Sequence, residues 1–346
     1  MNETPLISIV IPHHNGKDIL FRCLTSILEN GYPRTEIILV DNASTDGSVE
    51  AAVEAFSGLK VVRAGRNRGY AGGCNYGALF ARGDFLLFFN NDAVLAPGAL
   101  AYLLQAMQED ETIAAVQPKI CSLADPHRFD YAGAAGGMMD WFGFPFARGR
   151  IFDTLEQDRG QYDQPCDIFW ASGACCLVRR DVWEALGGFD ERFFAHMEEI
   201  DLNWRMHLAG YRVTFEPKAV AYHEAGTTLH SDSPHKLFLN HRNNWLMLLK
   251  NYSVRSLLWV APVRLFMEFM AVGYALLQRR WAHAISILRA LAALPAFGPH
   301  ILRWRRTVHR LRRVSDRRVM QHMFRGSIVV QYFISGRKTY ENLSHA

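Results

Sequence analysis

Residues 84–95 read DFLLFFNNDAVL. The apolar run from Phe85 to Phe89 gives way at once to Asn90, Asn91 and Asp92, as a strand covered on both faces does at its carboxyl edge. Such a strand belongs to a layered α/β sheet. In an open sheet of that kind ligands bind at the carboxyl edge, where one carboxylate and two amides can hold a divalent cation and the diphosphate it neutralises. An isolated Asp shortly before Pro97 reads equally well as a helix N-cap, so the neighbouring segments decide.

Residues 6–11, LISIVI, form a β-branched run that stops at Pro12 and is followed by HHNG, a buried strand and then a loop. Residues 17–29 place Ile19, Leu20, Leu24, Ile27 and Leu28 at helical spacing, and 36–40, EIILV, predict a second strand. That is a βαβ unit, with parallel strands and a right-handed crossover. The second strand ends at Asp41 in DNASTDGS, where Asp46 is placed to cap a helix through Phe56. A third strand, 60–62, leads through GRNRGYAGGCNYG and a helix to Arg82 into the strand of the opening motif. Pro12, Asp41 and Asp92 thus fall at carboxyl ends of strands in one mainly parallel sheet and should line one crevice. No G-x-G-x-x-G follows the first strand, where PHHNGK stands instead, and there is no Walker A lysine loop.

From 100 to 166 the alternation weakens: 113–116 reads as a strand, and 132–150 as a loop over the site able to touch an acceptor. Residues 167–180 restore a strand, and 180–186 a short helix closed by Gly187 and Gly188. The segment FDERFFAHMEEIDLNWRMHLAGYRV predicts a helix over 196–209, ended by Gly210, with Met197, Ile200, Trp204 and Leu208 on one face. Glu198, Asp201 and Arg205 follow on a neighbouring flank, and Glu199 lies about 100° from Glu198. Carboxylates in a first turn complement the helix dipole, which tends to keep them ionised; a partly buried one can also serve as a general base. A zinc site from His196, Glu199 and His207 lacks the HExxH spacing. After a strand near 212–215, AVAYHEAG places His223 at the same sheet edge as Asp92, and imidazole with carboxylate suits Mn²⁺ or Mg²⁺. The following TTLHSDSPHK reads as a loop that closes over a ligand.

The six cysteines lack metal-ligand spacing and read as reduced, buried thiols, and the N-terminus shows no secretory signal, which points to the cytoplasm. The charge is unevenly spread. Residues 251–346 hold 16 Lys/Arg against 3 Asp/Glu, leaving 22 against 31 in residues 1–250. Nine arginines fall between Arg303 and Arg325, with Asp316 the single acid among them. They follow the apolar 257–277, LLWVAPVRLFMEFMAVGYALL, which is long enough to cross a bilayer but is interrupted by Pro262, Arg264 and Glu268. A lone span would send the arginines outward, against the positive-inside rule. Interfacial helices on an anionic inner membrane surface are the favoured reading, with Arg264 and Glu268 on a wet face and Phe266, Phe269, Met270 and Leu276 toward lipid. The alternatives are a helical hairpin and a soluble helical domain; nucleic acid is excluded by the absence of interleaved stacking aromatics.

The motifs ISIVIPHHNG, EIILVDNASTDGS, NRGYAGGCNYG, LLFFNNDAVL, SGACCLVRRDVWEALGGFDERFFAHMEEIDLNWRMHLAGYRV and AYHEAG, in that order over about residues 6–226, resemble those of the family 2 glycosyltransferases. The closest resemblance is to the bacterial rhamnosyltransferase-like branch, which builds cell-surface polysaccharides. It implies an α/β GT-A nucleotide-diphospho-sugar transferase fold, a Rossmann-like, mainly parallel mixed sheet, with a C-terminal helical region. The catalytic domain would span 1–250, its nucleotide-sugar half about 1–95 and its acceptor half about 96–250; 251–346 would be the basic, membrane-associated region. The resemblance makes Pro12, Asn15, Asp41, Asn67, Asn75, Asn91, Asp92 and Arg242 nucleotide-sugar contacts, with Arg242 reaching the diphosphate from the closing loop. Asp92 and His223 become ligands of a divalent cation, Mg²⁺ or Mn²⁺, with Asn90 standing where the DxD motif has its first Asp. Glu198 and Glu199 match the family's ED pair, Glu199 being the implied base although Asp is usual there. QxxRW is absent, which favours transfer of a single sugar, such as rhamnose, with inversion to a glycan or lipid-linked saccharide acceptor. The rival reading is a catalytically silent nucleotide-sugar binding scaffold, which has no need of a base.

Overall fold

The computed structural model describes residues 4–224 and 233–344 of the 346-residue chain. Its first part runs β1 (Ile7–His13), α1 (Lys17–Leu28), β2 (Thr35–Asp41), α2 (Ser48–Ala55), β3 (Lys60–Arg63), α3 (Gly69–Ala78), β4 (Phe85–Phe89), β5 (Ala93–Leu95), α4 (Ala99–Gln108) and β6 (Ile113–Ser122). Then come β7 (Gly137–Met139), β8 (Pro145–Ala147), β9 (Arg150–Ile151), β10 (Thr154–Leu155), β11 (Cys166–Asp167), β12 (Cys175–Arg179), α5 (Arg180–Leu186), α6 (Glu198–Leu208) and β13 (Arg212–His223). Helices α7 (Pro234–Asn251), α8 (Val254–Leu277), α9 (Trp281–Ala293) and α10 (Gly298–Leu311) follow, with short helical turns to residue 344.

The main sheet has nine strands, in the order β11-β13-β6-β12-β4-β1-β2-β3, with β5 paired to β13. As the alternation predicts, β1 is parallel to β2 and β4, and β2 is parallel to β3. Strand β12 lies antiparallel between β4 and β6, and β13 is parallel to β6. Two reversals cancel, so β13 points the same way as β4 and His223 ends at the edge where β4 ends. Alternate residues of each central strand enter opposite cores: Val10, Ile38, Leu86 and Phe88 pack with Ala71, Trp183 and Met206. Ile9, Leu39, Leu87 and Phe89 pack with Leu20, Val49 and Leu103. This two-sided burial, about 1.5–3 kcal/mol for each large side chain, is why these strands are apolar at every position.

Several expectations change in three dimensions. Segment 132–150 is not a loop; it contributes β7, β8 and β9 to a small antiparallel sheet completed by β10. The strands expected near 212–215 and 223 are one strand, β13, whose register against β6 shifts between Glu216 and Val220. The acidic helix begins at Glu198, because Phe194, His196 and Met197 take left-handed φ values of 65°, 68° and 73° before it. Most of TTLHSDSPHK lies outside the described residues.

The C-terminal helices share a core with the first 250 residues: Val260, Val308, Val319 and Met323 pack with Trp170, Phe193, Trp204 and Leu246. Helix α8 buries Ser256, Val260, Arg264, Glu268, Val272 and Ala275, a stripe with a period near four. Arg264 and Glu268 share a face, as predicted, but it is the dry one. Glu268 Oε1 accepts from Arg264 Nη2 at 2.8 Å and from Trp245 Nε1 at 3.2 Å, its Oε2 lies 2.6 Å from His241 Nδ1, and Arg264 stacks on Phe144. A buried carboxylate needs such partners, and α7 supplies two of them. The opposite face carries the large apolar side chains outward, Leu258 at 73%, Phe266 at 65% and Leu277 at 84% exposure, continued on α9 by Trp281, Ile285 and Leu288.

Candidate active site

The carboxyl edge gathers the groups the sequence singled out. Asp92 follows β4, and its carbonyl accepts the Glu224 N–H at 3.1 Å, which holds it beside the end of β13. His223 Nε2 lies 3.1 Å from Asp92 Oδ1 and 3.4 Å from Asn90 Nδ2. The other ring nitrogen, Nδ1, lies 2.9 Å from Oδ1 of Asp130, a buried residue that carried no signal in RFDYAG. Burial alone would lower the imidazole pKa, but Asp130 and Asp92 raise it to about 10. The Asp92–His223 pair fits a divalent cation: adjacent ligands of an octahedral ion with bonds near 2.1 Å stand about 3 Å apart, and oxygen with imidazole nitrogen is a donor set for Mn²⁺ or Mg²⁺.

On the β1–β2 side, Pro12 and Asp41 lie at adjacent strand ends. Asp41 is buried; Oδ1 accepts from Ser44 N at 2.8 Å and Oδ2 from the exposed Arg63 at 3.0 Å. Asn15, in the left-handed region, joins the loop after β1 to the loop after β2 by accepting from Thr45 N at 2.8 Å, while Gly16 N donates to Asp46 at 2.7 Å. Asn91 Nδ2 sits 2.9 Å from His13 Nδ1, and His13 Nε2 lies 2.8 Å from Ser48 Oγ. Burial holds the His13 imidazole pKa down at about 4, so the ring is neutral and can accept from Asn91. Gly73 lets α3 approach, since a Cβ there would come within 2.8 Å of the Asn42 amide and 3.0 Å of Pro12.

Two expected contacts are otherwise engaged. Asn75 donates to Phe189 O at 2.9 Å and accepts from Phe189 N at 3.0 Å, so its amide tethers the loop before the acidic helix. Arg242 lies on α7 and not in a closing loop; its guanidinium donates to the carbonyls of Arg192 and Phe193 at 3.1 and 3.3 Å. Asn67 is exposed and accepts from Gly69 N at 2.8 Å, shaping the turn into α3.

Glu198 and Glu199 open α6. The Gly173–Ala174 turn ties β4 to α3: Ala174 O accepts from Asn90 N at 3.1 Å, and Gly173 O accepts at 2.6 Å from Tyr70, whose hydroxyl pKa is raised first by burial and then by Cys74 and the two glutamates. Burial raises the Glu199 carboxyl to about 7, even though N–H groups at the helix start pull it down. Burial, then the neighbouring Glu199 charge, lifts Glu198 well above the usual carboxylate range. The dipole therefore does not keep this pair ionised; desolvation outweighs it. Among the described residues, the buried Oε2 atoms of both glutamates and Nε2 of His196 have no hydrogen-bond partner, so each is a polar group awaiting one.

Behind the pair lies a buried ionic lattice that the sequence did not reveal. Lys250 donates to Asp190 at 2.5 Å and to Asp201 at 3.0 Å, Asp201 also pairs with Arg205, and His300 of α10 lies 2.9 Å from Asp190. These bonds fix the start of α6 against α7 and α10.

The family model described as glycosyl transferase family 2 matches residues 8–187. The chain is 29% identical over 280 residues to the N-acetylglucosaminyl-diphospho-decaprenol L-rhamnosyltransferase of Mycobacterium tuberculosis, covering 75% of this chain and 89% of that one. It is 31% identical over 238 residues to an O-antigen biosynthesis protein of Myxococcus xanthus, covering 66% of this chain and 18% of that one. Among solved structures, a mannosyltransferase from Pyrobaculum calidifontis, in complex with GDP-Man and Mn²⁺, aligns with a TM-score of 0.52 at 18% identity, covering 90% of this chain and 86% of that one.

Proposed function

Because the chain belongs to glycosyl transferase family 2 and has its GT-A architecture, we propose that it transfers one sugar from a nucleotide-diphosphate donor to a hydroxyl of a saccharide acceptor, inverting the anomeric centre. The single observation that carries this reading is Glu199: a carboxyl brought to about 7 by burial at the start of α6, its Oε2 buried without a hydrogen-bond partner among the described residues. A silent binding scaffold has no use for such a group, whereas a general base works best near the operating pH.

Pro12 and Asp41 hold the nucleotide base, with Asn15 and Asn91 ordering the loops around it. Asp92 and His223 hold the cation, which when bound neutralises the leaving diphosphate. Glu199 accepts the acceptor's hydroxyl proton, and the freed oxygen forms its bond to the anomeric carbon. The opposite C–O bond breaks, and its electron pair leaves with the nucleoside diphosphate. Glu198, whose carboxyl is raised by burial and by the Glu199 charge, stands beside the base. Residues 1–250 are the transfer unit in this reading.

One relative is named as an L-rhamnosyltransferase of N-acetylglucosaminyl-diphospho-decaprenol and another as an O-antigen biosynthesis protein, and a rhamnosyl donor with a lipid-linked acceptor in cell-surface polysaccharide synthesis is the finer form of the proposal. The cytoplasmic face of an anionic membrane is where the chain would meet that acceptor. Supporting this are the outward apolar face of α8 and α9 and the exposed Arg303, Arg306, Arg310 and Arg313 of the adjoining segment. Arg305 and Arg312 turn inward, to the carbonyls of Tyr252 and Asn251, and add nothing to that surface.

The test is a panel of nucleotide-diphosphate sugars with Mn²⁺ or Mg²⁺ and a polyprenyl-diphospho-saccharide, read by nucleoside diphosphate release and by the anomeric configuration of the product. Inverted single-sugar product is expected; tight donor binding without turnover on any acceptor would favour the scaffold.

A further inference from the structure

His223 has two ring nitrogens, and only one can face a cation held with Asp92. The side chain that decides between them is Asp130. It is 3% exposed, and its position is set by backbone bonds: its N–H donates to Ile120 O at 3.0 Å, and its Oδ1 accepts from Ala132 N at 2.7 Å. Ile120 belongs to β6, whose ladder with β13 pairs Ser122 with His223, so the strands that carry the imidazole also place the carboxylate. That same Oδ1 lies 2.9 Å from His223 Nδ1, on the opposite side of the ring from Asp92. A carboxylate there accepts the hydrogen bond of a proton-bearing Nδ1, so it is Nε2, the atom 3.1 Å from Asp92 Oδ1, that gives up its proton to present a lone pair to a cation.

We infer that Asp130 is a positioning residue of the cation site: through its bond to Nδ1 it fixes the His223 tautomer and ring orientation, so that Nε2 and Asp92 Oδ1 meet one ion. This rests on the cation role of Asp92 and His223 proposed above. A carboxylate behind a metal-binding histidine makes the ligand more basic as well as oriented, and its removal typically weakens metal binding by about 10–100-fold.

The probe is Mn²⁺ alone, titrated into the full-length protein and followed by the EPR signal of the free ion. Asp130→Asn, which keeps the shape and loses the charge, should weaken Mn²⁺ binding about 10-fold or more, and Asp130→Ala toward 100-fold, with the metal-free melting temperature of the Asn variant close to that of the parent. Asp92→Asn and His223→Ala are the reference losses. If both reference variants bind Mn²⁺ like the parent, the cation site itself is misplaced and this inference falls with it. If they lose binding while Asp130→Asn keeps parental affinity, the inference alone is refuted. A measurement on the unaltered chain needs no variant to fold: with ¹⁵N-histidine and Mg²⁺, His223 should show a protonated Nδ1 and a metal-shifted Nε2. A protonated Nε2 would overturn the assignment.

Discussion

Replacing Glu199 by Gln removes the proton acceptor and leaves its volume in place. The carboxyl is raised from an ordinary 4.5 to about 7, and that shift amounts to roughly 3 kcal/mol of disfavoured ionisation. Two consequences can be measured. In the parent enzyme only about 1% of the base is ionised two units below its pKa, so kcat/KM should climb about tenfold per pH unit from pH 5 and level off above about 7. In Glu199→Gln that limb should vanish, with turnover lower by about 10²- to 10⁴-fold and donor affinity within a few fold of the parent. Glu198→Gln is the control: burial and its neighbour raise the Glu198 carboxyl and so favour its neutral form, which an amide imitates, and the loss should stay below about tenfold. Initial rates of nucleoside diphosphate release at saturating Mn²⁺, from pH 5 to 8.5, decide the matter. A flat profile for the parent, or a Glu198 variant more damaged than the Glu199 variant, would refute the assignment of the base.

Two further perturbations test other parts of the molecule. For the membrane face, Phe266→Asp with Phe269→Asp should abolish vesicle binding, and reversing Arg303, Arg306 and Arg310 to Glu should weaken binding to anionic vesicles by at least about 100-fold at low salt, at about 1 kcal/mol per arginine; equal binding to neutral vesicles with resistance to alkaline carbonate would indicate a spanning hairpin instead. Truncation at residue 255 is a poor test, since it strips Val260, Val308 and Met323 from a core shared with Trp204. For stability, Asp140 is fully buried; burial lifts its carboxyl to about 7, although N–H groups of Phe144, Ile328 and Phe142 bind it. Its folded pKa lies above the unfolded 3.8, so its contribution is complete below about pH 4 and is lost as pH rises through 7. Asp140→Asn should therefore flatten the fall in melting temperature between pH 4 and 8, and identical pH dependence in both proteins would count against it.

The sequence by itself determined the sheet edge. A strand buried on both faces must be apolar throughout, so runs such as FLLFF and IILV announce themselves, and whatever polar residue ends them must stand at the carboxyl edge; Pro12, Asp41 and Asp92 were legible for that reason. Helical periodicity likewise showed α6 and its acidic start. Tertiary structure decided what those residues meet. Asp130 is far from His223 in the chain and sits in no periodic pattern, so only the β6–β13 ladder brings the two together. The ionisation of Glu198 and Glu199 followed burial and not the helix dipole, because desolvation depends on neighbours from α3 and β12 that a helical wheel does not contain. Asn75 and Arg242 looked like ligand contacts in one dimension and became braces of the 189–194 loop. Period alone placed Arg264 and Glu268 on one face of α8; whether that face met water or protein was settled by His241 and Trp245 on the preceding helix, which supply the hydrogen bonds a buried carboxylate requires.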